Sequence, residues 1–241
     1  MNNNLEIELN LDNLQLTKEI SINNSKRIEG CDDPQFKRIH HNFHHIVLYI
    51  KDYIMKDKCK SYLEIGTHYG HSLSNILQSK YDSKIMSIDI FKRWGDSQIK
   101  DMYSLACQNG DKFNNNNYEY LVFKGNSHSQ ITVNKVKEYF PNGIDLLFID
   151  GDHTYNGIKK DFENYFPLVN SGGYIVFDDY LPFVINGKNR DAPIIINKMI
   201  LENKKKIEII GLVDDIVKVT EDKHNILNLK GKNIDYIIKK K

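Results

Sequence analysis

Short apolar runs alternate with segments of helical periodicity through the middle of the chain. The runs, each about the length of one buried strand, lie at 62–66, 84–89, 118–124, 144–150 and 174–178. Segments compatible with helices lie between them, at 70–80, 96–108, 129–139 and 154–168. Strands that alternate with helices form βαβ units with right-handed crossovers. The pattern therefore predicts an α/β fold with a mostly parallel sheet and helices on both faces.

Two further apolar runs near the end of the chain predict an antiparallel edge for this sheet. Residues 207–213 and 216–220 flank Asp214 and Asp215, an arrangement typical of a hairpin. Added to the five strands above, this hairpin gives a sheet of seven strands. The final lysines, at 239–241, are expected to form a solvated end.

The first 58 residues follow a different pattern. Asp33 and Pro34 predict the start of a helix whose apolar residues recur at helical spacing to about Met55. Residues 1–30 are rich in asparagine and alternate loosely, which is compatible with a strand, an arm or a disordered lead. We predict an N-terminal arm and lid helix over 1–58, followed by the main α/β domain over 59–241.

The charge balance narrows the classes of partner. Lys and Arg number 33, Asp and Glu number 32, and the resulting charge of +1 argues against a general nucleic-acid binder.

No apolar run approaches the ~18 residues that a membrane span needs. The three cysteines are widely spaced and form no disulfide framework or zinc-type pair. We therefore expect a cytoplasmic, reducing compartment with no membrane partner.

The ends of the first two predicted strands indicate a nucleoside-containing cofactor, because ligands of open α/β sheets lie beyond the carboxyl ends of the strands. The first strand leads into Glu64-Ile65-Gly66-Thr67-His68-Tyr69-Gly70-His71-Ser72, whose glycines allow a tight turn close to a ligand. Asp89 ends the second strand, where an acid can accept hydrogen bonds from both hydroxyls of a ribose. A dinucleotide site would need the pattern G-x-G-x-x-G, and His68 stands at its second glycine.

Acidic residues follow the fourth and fifth predicted strands. Asp150 follows the fourth strand, and Asp178 and Asp179 follow the fifth. Neighbouring strands lie ~5 Å apart, so these carboxylates could converge on one hard cation such as Mg²⁺, Ca²⁺ or Mn²⁺. The alternative is that all three acids are merely structural. Asp152 has two interpretations: a catalytic acid–base group or, like Thr154, a cap of the helix that follows.

The histidines leave several interpretations open. His153 is either a general base that titrates near neutral pH or a surface-loop residue. His40, His41, His44 and His45 form i,i+4 pairs on the first predicted helix, a spacing that can hold a metal. Packing of the helix surface and lid is the favoured interpretation of this cluster, with acceptor binding and metal binding as alternatives.

Two stretches of the chain resemble the Methyltransferase 24 family of class I S-adenosylmethionine-dependent methyltransferases. They are FIDGDHTYNG at 148–157 and PLVNSGGYIVFDDY at 167–180, and the likeness extends over residues 60–200. The first-loop pattern E-x-G-x-x-x-G-x-S, at 64–72, is similar to that of catechol-type O-methyltransferases. The resemblance implies a Rossmann-like class I methyltransferase domain over 59–241, with S-adenosylmethionine as its cofactor.

The resemblance assigns the cofactor contacts to three segments and to one residue of the fourth strand end. It implies that the first loop holds the methionine part, that Asp89 holds the ribose and that the turn at 125–127 contacts the adenine. The implied cofactor-binding residues are Glu64, Gly66, Thr67, His68, Tyr69, Gly70, Ser72, Asp89, Gly125, Asn126, Ser127 and Asp150.

The resemblance also implies a metal triad of Asp150, Asp178 and Asp179, with Asp179 where the catechol-type enzymes have asparagine. His153 stands where those enzymes have a lysine base, which leaves the identity of the base open. The candidate catalytic residues are His153, Asp150 and Asp152, with His153 preferred as the proton acceptor.

These features lead to the hypothesis of metal-assisted O-methylation of a sugar or another small hydroxylated acceptor, such as a nucleotide sugar or a glycan. One alternative is a metal-independent N- or O-methyltransferase of small molecules, and another is a non-catalytic cofactor-binding protein. Members of the family commonly dimerise, so the resemblance also implies a homodimer.

Overall fold

The computed structural model describes residues 10–29, 44–92, 101–180, 183–185, 188–190, 192–214 and 234–241. The strands in these ranges are β1 (Ser61–Ile65), β2 (Lys84–Asp89), β3 (Tyr120–Lys124), β4 (Ile144–Ile149), β5 (Val169–Phe177), β6 (Phe183–Ile185), β7 (Lys188–Arg190), β8 (Ile207–Asp214) and β9 (Ile234–Lys240). Seven of them form one sheet in the order β3-β2-β1-β4-β5-β9-β8, while β6 and β7 pair separately. Strands β1 to β5 are parallel, and β9 is antiparallel to both β5 and β8. The predicted α/β fold with an antiparallel C-terminal edge is confirmed.

The helices of the described ranges lie on both faces of the large sheet. They are α1 (Leu11–Ser25), α2 (His45–Tyr49), α3 (His71–Ile76), α4 (Met102–Phe113), α5 (Gln130–Tyr139), α6 (Tyr155–Tyr165) and α7 (Ala192–Glu202). Side chains alternate along each strand, so neighbours such as Tyr62 and Leu63 enter different apolar clusters. One cluster joins the sheet to α5, α6 and α7, and the other joins it to α1, α2, α3 and α4.

Side-chain caps fix where three of these helices begin. Asp101 accepts a hydrogen bond from the amide of Ser104, Ser129 from that of Thr132, and Thr154 from that of Gly157. Each cap satisfies an amide that the first helical turn leaves without a partner. The caps of α5 and α6 agree with the predicted helices at 129–139 and 154–168, whereas α4 begins six residues after the predicted position.

The predicted C-terminal hairpin has the wrong second strand. β8 pairs with β9 at 234–240, and the predicted strand at 216–220 lies outside the described residues. The expectation of a solvated lysine tail is also wrong in part, because Lys239 and Lys240 belong to β9. The ammonium of Lys240 donates to the carbonyls of Val169 at 2.6 Å and Phe166 at 3.1 Å, which ties the end of the chain to the start of β5.

The N-terminal segment also differs from the prediction. Residues 11–25 form α1, which was expected to be a strand, an arm or disordered. Its buried face is largely polar, since Asn24 donates to Asn75 at 2.9 Å and Ser21 accepts from Asn75 at 2.9 Å. The predicted helix start at Asp33 lies outside the described residues, and its end is α2 followed by a π-helical turn at Ile50–Met55. No helix of the described ranges combines the length and apolar character that a membrane span requires.

The order of strands determines where a ligand can bind. After β1 the chain moves outward through β2 to β3, then returns to place β4 on the other side of β1. The carboxyl ends of β1 and β4 therefore flank the switch in strand order, where loops diverge and leave a crevice. The first loop, Asp89 and the acidic residues after β4 and β5 all lie at this edge, because each comes at the carboxyl end of a strand.

Candidate functional site

The first loop owes its shape to two glycines with left-handed backbones, Gly66 (φ +98°) and Gly70 (φ +84°). A Cβ atom on Gly66 would lie 1.9 Å from the backbone oxygen of Asp150, so no side chain fits there. The amide of Asp150 in turn donates to the carbonyl of Ile65 at 2.8 Å. The loop after β1 and the strand end after β4 are therefore built against each other.

Asp89 joins the three segments that were predicted to hold the cofactor. Its carboxylate accepts from the amide of His68 at 2.8 Å and from that of Phe91 at 2.6 Å. Its backbone carbonyl accepts from the amide of Gly125 at 2.9 Å. His68 (φ +49°) adopts the left-handed backbone that brings its amide to the acid. The structure thus brings the first loop, Asp89 and the 125–127 turn together at one edge of the sheet.

Of the first-loop side chains that were predicted to bind the cofactor, those of Glu64, Thr67, Tyr69 and Ser72 are buried. Glu64 accepts from the hydroxyl of Tyr62 at 2.8 Å. Burial raises the pKa of Glu64 to about 7, against the opposing effect of its hydrogen bond with Tyr62. The ring of Tyr69 packs with Ile28 and Phe113, so a contact of this residue with a cofactor would come from its backbone.

The 125–127 turn is held by its own polar groups. Asn126 accepts from the amide of His128 at 2.9 Å through its side-chain oxygen. The carbonyl of Ser127 accepts from the hydroxyl of Tyr165 at 2.8 Å and from the side chain of Asn164 at 3.1 Å, both on α6. These bonds fix the turn from the side away from Asp89, and an adenine contact by these residues stays a prediction.

The three carboxylates expected to form a metal triad divide between two candidate ligand groups. The register pairs Ile149 with Phe177, which places Asp150 and Asp178 at adjacent strand ends. Candidate ligand atoms fall into two groups, His44 with Asp150 and Asp178, and His153 with Asp178 and Asp179, each within 4.8 Å. Asp178 is common to both groups. Asp179 has a left-handed backbone (φ +53°), which turns the chain sharply at this point.

The acids of this cluster are strongly perturbed by their surroundings. Burial raises the pKa of Asp178 well above its usual range, and the neighbouring charges of Asp150 and Asp179 raise it further. Burial also raises the pKa of Asp150. Oδ1 of Asp178 is inaccessible to solvent and makes no hydrogen bond within the described residues. A bound divalent cation would supply the missing partner and offset the repulsion, so these residues fit such a group.

His153 and Asp152, both proposed as catalytic, are placed differently. His153 is buried, with Nε2 3.2 Å from Oδ1 of Asp150 and Nδ1 4.0 Å from Oδ2 of Asp179, so the surface-loop interpretation is wrong. Asp152 is exposed and accepts from the amide of Thr154 at 3.0 Å. The geometry favours a structural role for Asp152, at the turn before the cap of α6.

His44 is the member of the predicted histidine cluster that lies beside the acidic residues. It precedes α2 with a left-handed backbone (φ +39°), and only 11% of its side chain is exposed. Its Nε2 lies 3.6 Å from Oδ2 of Asp150, and its Nδ1 lies 3.7 Å from Oδ1 of Asp178. Its neighbour His45 is buried elsewhere, and burial lowers the pKa of His45 to about 4. His40 and His41 lie outside the described residues.

A family comparison decides which kind of domain this is. Residues 63–180 match the Methyltransferase 24 family model, described as a methyltransferase domain, and they include the first loop, Asp89 and the acidic cluster. Over these residues the chain is similar to the methyltransferase domain of this family. An uncharacterized protein of Acanthamoeba polyphaga mimivirus is 37% identical over 145 residues, or 60% of this chain and 62% of that protein. Another, from Sinorhizobium fredii, is 25% identical over 121 residues, or 48% of this chain and 13% of that protein. The chain thus spans less than two thirds of either relative.

Solved methyltransferase structures share the fold at low identity. An O-methyltransferase of Bacillus cereus in complex with S-adenosylhomocysteine has a TM-score of 0.50 at 15% identity, covering 98% of this chain and 93% of that one. The N-methyltransferase NodS of Bradyrhizobium japonicum with the same ligand has a TM-score of 0.50 at 13% identity, covering 95% and 99%. An rRNA methylase of Streptococcus thermophilus reaches 0.53 at 9% identity, covering 83% and 95%. The fold of the methyltransferase domain therefore does not select among O-, N- and RNA methylation.

Proposed function

We propose that this protein transfers the methyl group of S-adenosylmethionine to a hydroxyl of a small acceptor, with a sugar as the leading candidate, and that a divalent cation assists. The observation that supports the proposal is that Asp178 shares one candidate ligand group with Asp150 and another with Asp179 and His153, at the edge of the sheet that also carries the first loop and Asp89. A methyltransferase that only positions an amine has no need of three crowded carboxylates.

The residues of the first loop and β2 fit the cofactor. Each oxygen of the Asp89 carboxylate accepts one backbone amide and retains a second lone pair for a ribose hydroxyl. Because those amides already orient the carboxylate, the acid needs little rearrangement to bind. When bound, S-adenosylmethionine supplies a sulfonium methyl group as the electrophile. The work of the chain is to align donor and acceptor and to exclude water.

The acidic cluster fits a cation that binds oxygen ligands, with Mg²⁺ as the first candidate. Asp150, Asp178 and Asp179 would hold it, and Asp178 is the buried member that lacks a hydrogen bond to Oδ1. A divalent cation in this position lowers the pKa of an acceptor hydroxyl and orients two neighbouring oxygens. This chemistry favours a vicinal diol, such as that of a sugar, a nucleotide sugar or a glycan, as the acceptor.

His153 is placed to receive the acceptor proton. It lies at the start of α6, and the carboxylate of Asp150, 3.2 Å from Nε2, fixes the orientation of its ring. A general base must reach the proton that it abstracts, and His153 lies beside the same carboxylates that would hold the acceptor oxygens. The homodimer, and the division into an arm at 1–58 and a domain at 59–241, stay predictions.

Transfer of a radiolabelled methyl group tests this proposal. The purified chain is stripped with chelator, then incubated with labelled S-adenosylmethionine and a panel of sugars, nucleotide sugars and small amines, with and without added Mg²⁺. We expect labelled hydroxyl-containing products only when the cation is restored. Undiminished transfer in chelator would select the metal-independent methyltransferase. Binding of S-adenosylhomocysteine without transfer to any acceptor would select the non-catalytic protein.

A further inference from the structure

His44 reaches the acidic cluster from a part of the chain remote in sequence. Its ring packs edge-on against Phe148 of β4, with ring centroids 5.4 Å apart, and stands 5.9 Å from the ring of His71. This position directs both ring nitrogens at carboxylates, Nε2 toward Asp150 and Nδ1 toward Asp178. An imidazole from the segment before α2 thus closes one side of the cluster.

The distances suit two ligands of one ion better than a hydrogen bond. Nitrogen–oxygen hydrogen bonds span ~2.7–3.2 Å, whereas Nδ1 of His44 lies 3.7 Å from Oδ1 of Asp178. An imidazole binds an ion through one nitrogen, and Asp150 belongs to the same candidate group, whose ligand atoms all lie within 4.8 Å of one another. Ligands at ~2.1 Å from a tetrahedral ion lie a little over 3 Å from each other. Nδ1 of His44 and Oδ1 of Asp178 are both buried and make no hydrogen bond within the described residues. One nitrogen ligand, from His44, and one oxygen ligand, from Asp178, therefore lie at a separation that a single bound ion could bridge.

We propose that His44 is a ligand of the cation together with Asp150 and Asp178, so that the site is a mixed nitrogen and oxygen site. Imidazole favours Zn²⁺, Co²⁺, Fe²⁺ and Ni²⁺, whereas Mg²⁺ prefers oxygen ligands alone. The proposal rests on the cation site of the proposed function and changes its selectivity: the chain binds imidazole-preferring ions more tightly than Mg²⁺. It also means that the ion links α2 to the ends of β4 and β5.

The second histidine of the cluster takes a different part. His153 Nε2 lies 3.2 Å from Asp150 Oδ1, closer than His44 approaches either carboxylate. Both histidines belong to candidate ligand groups, but His153 approaches Asp150 at hydrogen-bond distance, which suits a base held off the ion, whereas neither nitrogen of His44 is that close to a carboxylate. The two imidazoles lie on different oxygens of Asp150, Oδ1 and Oδ2. We therefore expect His44 to bind the metal directly and His153 not to bind it.

Metal binding to the full chain, measured by calorimetry with Co²⁺ and Mg²⁺ separately, tests the selectivity. The wild type is expected to bind Co²⁺ at least tenfold more tightly than Mg²⁺. His44→Gln, which keeps a polar side chain and removes the imidazole, is expected to lose at least tenfold in Co²⁺ affinity and less than threefold in Mg²⁺ affinity. His71→Asn is the matched control, because it removes a neighbouring imidazole outside the cluster and is expected to leave both affinities unchanged.

Pulsed electron paramagnetic resonance of bound Mn²⁺ identifies the ligand itself. Nitrogen hyperfine coupling is expected in the wild type and in His153→Gln, and is expected to vanish in His44→Gln. Circular dichroism spectra matching the wild type establish that each variant folds. Coupling that persists in His44→Gln, or equal Co²⁺ affinity in that variant and the wild type, would overturn the assignment of His44 alone. Failure of the wild type to bind any divalent cation would overturn the metal-assisted function as well.

Discussion

The sheet edge has two acidic parts, Asp89 at the end of β2 and the acids at the ends of β4 and β5. They differ in the hydrogen bonds that the protein supplies to their carboxylates. At the end of β2, both oxygens of Asp89 accept backbone amides, so the acid is oriented and hydrogen-bonded before any ligand arrives. At the ends of β4 and β5, Asp150 and Asp178 are crowded and desolvated, and Oδ1 of Asp178 makes no hydrogen bond among the residues that the structure describes. The first arrangement is complete in the protein alone. The second brings like charges together away from water, which is unfavourable while both are ionised, so one sheet edge holds its acids in two different ways.

The largest effect is expected at Asp178, the buried acid common to both candidate ligand groups. Asp178→Asn removes a negative charge at the centre of both candidate ligand groups, and should reduce methyl transfer by about a hundredfold or more. Affinity for S-adenosylhomocysteine should change less than threefold, because Asp89 and the first loop are untouched. Initial rates and calorimetry measure the two quantities, with the exposed Asp57→Asn as a matched control. Normal turnover in Asp178→Asn would break the contrast between the two acidic parts.

The converse change should affect the cofactor and spare the cation. Asp89→Ala removes two expected hydrogen bonds to ribose hydroxyls, each worth about 1.5–3 kcal/mol with a charged partner. We expect a loss of S-adenosylhomocysteine affinity of more than about a hundredfold, with unchanged cation affinity, measured by calorimetry. Asp82→Ala, an exposed acid before β2, serves as the control. Loss of cation binding in Asp89→Ala would show that the two parts are one coupled site.

Cation binding should stabilise the fold. At ~100 times its Kd, a cation that binds only the folded state adds about 2.7 kcal/mol to the free energy of unfolding. For a chain of this size that corresponds to a rise in Tm of about 5–10 °C. Differential scanning fluorimetry should show the rise in the wild type and in Asp89→Ala, and none in Asp178→Asn. An equal rise in Asp178→Asn would place the cation elsewhere.

A smaller effect is expected on the pH dependence of stability, through Glu64, the buried acid of β1. The pKa of Glu64 in the folded state, about 7, lies above its ordinary value of 4.5, so protonation favours the folded state. This contribution is fully present below pH 4.5 and is lost as the pH rises through 7. The free energy of unfolding of Glu64→Gln, relative to wild type, should therefore rise by about 2 kcal/mol between pH 5 and pH 8. Denaturant titrations measure it, and exposed Glu119→Gln should show no such trend.

The strand ends were predictable because their signals are local. A buried parallel strand appears in the sequence as a short apolar run, and the residue at its end adjoins that run, as Asp89 and Asp150 do. Pairing between distant segments is not local, so the second strand of the hairpin was placed at 216–220 when β8 in fact selects 234–240. The adjacent run looked like a partner only because hairpins with short loops are the commoner case.

The N-terminal segment was unpredictable for a different reason. Helix periodicity is recognised from apolar positions, but α1 buries Thr17, Ser21 and Asn24 on one face, where polar groups pair with α3. The position of His44 likewise depends on tertiary packing against Phe148, which no spacing along the chain encodes. The i,i+4 histidine pattern raised metal binding as an option, and only the fold distinguishes His44 from its neighbours.

Crystals grown with S-adenosylhomocysteine and Mn²⁺, with diffraction collected for the anomalous signal of manganese, test the central claim most directly. The account predicts the ribose hydroxyls on Asp89 and a single strong anomalous peak bounded by Asp150 and Asp178. A ribose bound away from Asp89, or no peak at these carboxylates under saturating Mn²⁺, would contradict it.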